Sequence, residues 1–137
     1  MIIDSSALLA VIGKEPGHER IVHELAASTR TRIGAPTQLE TGIVLTARLG
    51  PRGRTVLARF LQENAIHTVA FDEGHAAVAL DAYSRFGKGR HPAASNFGDC
   101  CTYATASIAG EKLLCVGNGF RQTDLPLVSF DDGDDGG

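Results

Sequence analysis

The chain predicts an α/β domain, a parallel sheet flanked by helices in three α/β/α layers. Short apolar runs such as Ile2-Ile3 and Leu113-Leu114-Cys115-Val116 read as buried strands. The segments between them repeat their apolar residues every three or four positions, the period of a helix with one buried stripe. Strands and helices alternate along the chain, and parallel neighbours need such crossover connections.

Ile2-Ile3 is the first strand and stops at Asp4, where Asp4-Ser5-Ser6 cap a helix through Ala7-Leu8-Leu9-Ala10-Val11-Ile12. Residues 16 to 27 form a second helix, with Ile21, Val22 and Leu25 on one stripe and Pro16 in its first turn. Residues 31 to 35 form the second strand. Pro36 opens a third helix with Leu39, Ile43, Val44 and Ala47 as its apolar positions, and Gly50-Pro51 ends it. The next helix buries Val56, Leu57, Phe60 and Leu61 and leads to a third strand over 67 to 71. Asp72 caps a helix carrying Ala76, Ala79, Leu80 and Tyr83. A basic glycine-rich loop spans 87 to 92, and Asn96-Phe97-Gly98-Asp99 introduces a helix over 100 to 109. Residues 113 to 116 are the fourth strand, Gly117-Asn118-Gly119 a turn and Leu127-Val128-Ser129-Phe130 a final strand.

With 137 residues, 43% of them hydrophobic, the chain suits one domain over residues 1–130. Residues 131–137 are only Asp and Gly, and this acidic tail is expected to be disordered. The net charge of −3 becomes +1 once the four tail aspartates are set aside, which argues against indiscriminate nucleic-acid binding while allowing a local basic face. Neither a secretory signal nor an apolar run of membrane length is visible, so a soluble cytoplasmic protein is expected. Cys100, Cys101 and Cys115 are odd in number and form no CxxC pair, which disfavours a disulfide framework or a zinc knuckle.

Three acids stand out. Asp4 terminates the first strand, Glu40 lies early in the helix after the second, and Asp99 begins the helix before the fourth. In open parallel sheets, ligands gather beyond the carboxyl ends of strands. Taken singly, Asp4 and Asp99 read as helix caps and Glu40 as a solvated helix face. Together they read as a divalent-cation site, because clustered like charges raise one another's pKa and a hard cation keeps them ionised. Oxygen ligands alone favour Mg²⁺ or Mn²⁺ over Zn²⁺.

These residues also carry a resemblance. The opening Ile-Ile-Asp4-Ser-Ser6-Ala-Leu, Glu40 after Ala35-Pro36-Thr37, Asn96-Phe97-Gly98-Asp99-Cys100, and the stretch from Leu113 through Gly117-Asn118-Gly119-Phe120 to Asp124 occur in an order that resembles PIN-domain ribonucleases. The closer similarity is to VapC-type toxins of toxin–antitoxin pairs. The resemblance covers residues 1 to about 130 and implies a PIN-like fold, a homodimer, a VapB-type antitoxin as partner, and metal-dependent RNA cleavage with Asp4, Glu40 and Asp99 as the acidic set. It implies further that Ser6 orients the first acid. Many such proteins carry a fourth acid where this chain has Gly119, which leaves Asn118 as a neutral or water-mediated ligand.

Lys88, Arg90 and His91, in the loop ahead of Asp99, are the favoured RNA-binding residues, since a basic loop supplies salt-dependent backbone affinity. Arg48, Arg52, Arg54 and Arg59 are further candidates that read individually as solvated helix surface. Neither a dinucleotide fingerprint nor GxxxxGK[ST] occurs, the histidines lack metal spacing, and 6% aromatic content argues against a base-stacking platform. Cys100 reads as a buried helical thiol rather than a nucleophile. The competing function is a non-catalytic RNA- or cation-binding regulatory module on the same fold.

Overall fold

The computed structural model describes residues 1–130. Four parallel strands, β1 (Ile2–Ile3), β2 (Thr31–Gly34), β3 (Ile66–Val69) and β4 (Leu113–Leu114), form one sheet in the order β3-β2-β1-β4. Six helices complete the fold: α1 (Ser5–Ile12), α2 (His18–Ala27), α3 (Ala35–Leu49), α4 (Arg52–Glu63), α5 (Glu73–Phe86) and α6 (Phe97–Ala109). The three-layer α/β expectation holds.

Strand alternation divides the core. Neighbouring residues on a strand point to opposite faces, so Ile3 and Leu114 pack with Leu8, Ile21, Leu45 and Leu57 of α1 to α4. Ile2 and Leu113 pack instead with Phe86, Cys100, Tyr103 and Phe120 around α5 and α6. Ile2, Ile3, Ile33, Leu113 and Leu114 are fully buried, each contributing about 1.5–3 kcal/mol by leaving water. Two-residue strands thereby hold the centre of the sheet: burial on both faces compensates for short hydrogen-bond ladders.

Boundaries differ from the sequence reading where backbone chemistry intervenes. β2 runs directly into α3, whose N-cap is Gly34, so Ala35 is the first helical residue and Pro36 follows it. Pro16 lies outside α2, which starts at His18 after Gly17 turns the chain with φ 87°. β3 covers Ile66–Val69, and β4 ends at Leu114. α6 starts at Phe97, so Asp99 lies inside its first turn. The expected strand over 127 to 130 shrinks to one parallel bridge, Leu113 with Leu127. Pro126 has no N–H to extend the ladder; its carbonyl accepts from Leu113 N at 3.0 Å, and Val128 N returns a bond to Leu113 O at 2.8 Å. The expected disordered tail, 131–137, lies outside the described residues. Among the described residues no helix is long and apolar enough to cross a membrane.

α3 and α4 form a tight hairpin that depends on Gly53. A methyl group there would stand 2.5 Å from the carbonyl carbon of Leu45, and backbone on both sides leaves no flexible atom to yield. Gly53→Ala is therefore expected to cost about 1–3 kcal/mol of stability, read as a lower urea midpoint at unchanged slope.

Candidate active site

Asp4 follows β1 at the carboxyl edge of the sheet, caps α1, and is 5% exposed. A buried carboxylate needs donors on both oxygens. Oδ2 accepts from Ser6 N at 3.1 Å and Ser6 Oγ at 2.6 Å, while Oδ1 accepts from Thr102 Oγ1 at 2.9 Å. Ser6 Oγ in turn accepts from Val116 N at 3.0 Å, which ties the loop after β4 to the acid. Behind Thr102, its hydroxyl lies 2.9 Å from that of Thr37 on α3, and both residues are buried. One hydrogen-bonded chain thus links β1, α1, α3, α6 and the loop beyond β4.

Glu40 is half-buried on α3, and its Oε1 accepts from Ser5 Oγ at 3.3 Å. It sits directly against the first turn of α6: a methyl on Gly98 would be 2.5 Å from Glu40 Oε2. Only glycine lets α6 approach the carboxylate this closely. Asp99, also half-buried, completes a reciprocal cap, its Oδ2 accepting from Asn96 N at 3.0 Å while its own N donates to Asn96 Oδ1 at 2.9 Å.

The acids bear on one another unevenly: Asp4 acts on both Glu40 and Asp99, and Asp99 acts on Glu40. Burial raises the pKa of Glu40, and the charges of Asp4 and Asp99 raise it further against the Ser5 hydrogen bond. Burial and the charge of Asp4 likewise raise Asp99, opposed by the Asn96 amide. No lysine or arginine contributes to either shift. Among the described residues no three His, Cys, Asp or Glu side chains already stand at mutual ligation distance; the acids meet through packing and field. Their donors are all oxygen, the set that suits a hard divalent ion.

The cysteines are not nucleophiles here. Burial pushes the Cys115 thiol up to about 12, with Asp4 adding to the rise, and burial also raises Cys100 and Cys101. A reactive thiol requires the opposite shift.

The remaining sequence candidates are distributed around this centre. Asn118 is exposed on the loop after β4, where its carbonyl accepts from Arg121 N at 3.2 Å. That loop is held at its far end by Asp124, which accepts from Tyr103 Oη at 2.5 Å and Arg85 Nη2 at 2.7 Å. Lys88 and Arg90 are exposed, with the Arg90 guanidinium 5.6 Å from the centre of the Tyr83 ring. His91 is partly structural: Nδ1 accepts from Ala93 N at 3.0 Å and the ring meets Phe86 edge-on. Arg48, Arg52, Arg54 and Arg59 are exposed near the α3–α4 turn and along α4.

Sequence reading missed Thr37, Thr102 and Gly98. A signal existed for the threonines. Thr37 lies three residues before Glu40 and Thr102 three after Asp99, so each shares a helical face with an acid.

Because the folded state favours protonated Glu40, its contribution to stability is present at low pH and lost as pH rises through its elevated value. Glu40→Gln is therefore expected to raise the denaturation midpoint of chelator-treated protein at pH 7. The gain should shrink as pH falls toward the ordinary glutamate range, a trend that a pH series of thermal melts would read directly.

Comparison with known proteins now adds to this geometry. The PIN domain family model matches residues 1–132. Ribonuclease VapC36 of Mycobacterium tuberculosis is 47% identical over 126 residues, 91% of each chain. Ribonuclease VapC of Mycolicibacterium smegmatis is 40% identical over 128 residues, 93% of this chain and 99% of its own. Among solved structures, M. tuberculosis VapC20, described as a sarcin-ricin loop cleaving toxin, superposes with a TM-score of 0.75 at 15% identity, covering 93% of this chain and 97% of its own. VapBC2 from Rickettsia felis, bound to a promoter DNA fragment, gives 0.74 at 13% identity over 95% of this chain and 98% of that one. At such identities the structures speak for the fold, while the sequence relatives speak for kinship. With its parallel sheet, its acid-bearing carboxyl edge and these relatives, the chain belongs to the PIN-domain family, in its VapC group.

Proposed function

We propose that this protein is a divalent-metal-dependent endoribonuclease acting as the toxin of a toxin–antitoxin module, with Asp4, Glu40 and Asp99 as metal-binding and catalytic acids. The observation that carries the reading is geometric: Asp4 is buried at the carboxyl edge of the sheet, Glu40 packs against Gly98 in the first turn of α6 and Asp99 follows in that turn, with no lysine or arginine among the causes that raise Glu40 and Asp99. Such a group is costly unless a cation neutralises it. When bound, Mg²⁺ or Mn²⁺ would supply positive charge against the scissile phosphate and acidify a water for in-line attack. Ser6 and Thr102 fix the orientation of Asp4, and the Asn96 amide fixes that of Asp99. Gly98 admits Glu40 to the same edge. Lys88 and Arg90 attract the RNA backbone, with His91 shaping their loop. Asn118 stands as a neutral or water-mediated ligand on the loop that Val116 ties to Ser6.

The partner reading rests on the relatives and on a groove. VapBC complexes are among the structural neighbours. Between α3 and α4 lies an open apolar groove of about 980 Å³, lined by Leu39, Gly42, Ile43, Leu57 and Leu61. Leu39 and Ile43 are 66% and 60% exposed, and Leu39 adjoins Glu40 in sequence. An apolar helix of a VapB-type antitoxin laid there would bring a basic side chain within reach of the acids, restraining the enzyme. A homodimer and a cytoplasmic location complete the proposal.

Asp99→Asn is expected to reduce cleavage of structured RNA by on the order of 100- to 1000-fold with the fold intact by circular dichroism. Chelation should silence the wild type, and Mg²⁺ or Mn²⁺ should restore it. RNA and metal binding without strand scission in any of these mixtures would move the assignment to the non-catalytic module. Replacing Leu39 and Ile43 together by Glu should abolish co-purification with the antitoxin encoded beside the gene and leave RNA cleavage in place, as a pull-down beside a gel assay would show.

A further inference from the structure

Asp124 ends the sequence stretch that begins at Leu113, and the chemistry proposed above gives it no part. Its carboxylate is gripped nonetheless. Oδ1 accepts from Tyr103 Oη at 2.5 Å and Oδ2 from Arg85 Nη2 at 2.7 Å, while Arg85 Nη1 donates to the same Tyr103 oxygen at 3.2 Å. Resting on the reading of the acidic edge as the ribonuclease site, we propose that Asp124 is a positioning residue: held by Tyr103 and Arg85, it keeps the loop after β4 in place, so that Val116 stays bonded to Ser6 and Ser6 to Asp4.

The loop needs such a hold. It leaves the sheet at Leu114, whose carbonyl accepts from Asp4 N at 2.9 Å, so it starts at the acidic edge itself. From Val116 to Gly119 every residue is exposed, Gly117 turns with φ 98°, and a methyl there would meet nothing within 4 Å. Two glycines, Gly117 and Gly119, in an unpacked stretch leave it many conformations. Val116 N donates to Ser6 Oγ at 3.0 Å at the near end. One neutral hydrogen bond is weak against that freedom, so the anchorage downstream decides whether it stays formed.

Downstream, Phe120 is buried in the cluster that holds Phe86 and Tyr103. Thr123 Oγ1 donates to Phe120 O at 2.7 Å and closes the short 3₁₀ turn Phe120–Gln122. Apolar burial is non-directional, whereas a carboxylate taken by two donors also fixes orientation. The donors are themselves constrained. Tyr103 is 5% exposed with its ring centre 5.7 Å from that of Phe86, and the Arg85 guanidinium lies 4.6 Å from the centre of the Phe86 ring. Tyr103 and then Arg85 hold the Asp124 carboxyl below the usual carboxylate range, so the clasp is charged at neutral pH. Tyr103 also follows Thr102, which donates to Asp4 Oδ1. α6 therefore serves the acid twice, directly through Thr102 and by way of the loop through Tyr103. An exposed ion pair by itself adds little to stability; closing a loop braced on a buried acid gives this one a different use.

The test follows the Val116 amide by hydrogen exchange in the metal-free full chain, and Mn²⁺ affinity by the paramagnetic resonance signal of the free ion. Asp124→Ala should lose about 10-fold in Val116 protection and about 10-fold in Mn²⁺ affinity, the usual cost of removing an outer support of a metal site. Tyr103→Phe, which keeps the ring, should lose part of both and add nothing to Asp124→Ala, because the two residues act as a unit. Should Asp124→Ala fail to fold, Tyr103→Phe carries the same comparison. Gly53→Ala separates positioning from stability: it should lower the urea midpoint and leave Val116 protection and Mn²⁺ affinity unchanged, since the loop opens locally. If Asp124→Ala lowers the midpoint yet keeps wild-type protection at Val116, the contact is structural and the proposal is overturned, with the ribonuclease reading untouched. It is equally overturned if protection falls while the variant matches a Mn²⁺-binding wild type in affinity. If Asp124→Ala unprotects Val116 but wild type binds no Mn²⁺ and cuts no RNA, the positioning of the loop on Asp4 is supported and the ribonuclease reading falls.

Discussion

The carboxylate of Asp4 is the constraint on which the rest of the structure depends. It is buried, so each oxygen must be satisfied from within the protein, and the donors come from α1 and α6, with a third group, the Val116 amide, braced behind Ser6. Meeting that requirement fixes how α6 lies against the carboxyl edge of the sheet. Once α6 is fixed, Asp99 and Gly98 are fixed with it, and Gly98 determines how near Glu40 can come. The geometry of the acidic edge is thus a consequence of satisfying one buried charge.

The same arrangement works against stability when no cation is bound. Glu40 and Asp99 are raised by burial and by neighbouring negative charge, so the folded state without a metal holds them at a disadvantage at neutral pH. Site strain of this kind persists only where a well-packed scaffold overrides it. The fully buried strand residues Ile2, Ile3, Ile33, Leu113 and Leu114 supply that scaffold from both faces of the sheet. Under the proposed metal-dependent reading, an ion held by these acids would offset the repulsion, and ligation and folding would be linked.

Around this rigid centre the surface is divided by chemistry. Apolar groups open between α3 and α4, beginning one residue from Glu40. Cations are exposed on the loop before α6, and a lone ring stands on the first turn of that helix. Under the proposed function, RNA and a restraining partner would meet different surfaces and converge only at the acids.

Much of this was legible in the chain itself. Alternating strand and helix patterns determined the parallel three-layer architecture, since parallel neighbours demand crossovers, and the order of four short motifs determined the family. Asp4, Glu40 and Asp99 stood out in the sequence because of local settings it encodes: a strand end, the early part of a helix, and a capping box. What only the tertiary structure decided was proximity. The Thr37–Thr102–Asp4 chain joins residues up to 98 positions apart, and no local pattern states which hydroxyl will face which acid. The closeness of Gly98 to Glu40 and the exposure of Phe97 likewise follow from how α6 crosses α3. The strand expected over 127 to 130 failed for a related reason: its apolar residues are real, but a two-residue neighbour and Pro126 leave only one bridge to form. Local sequence sets which conformations are cheap, and burial together with the pairing of distant polar groups selects among them.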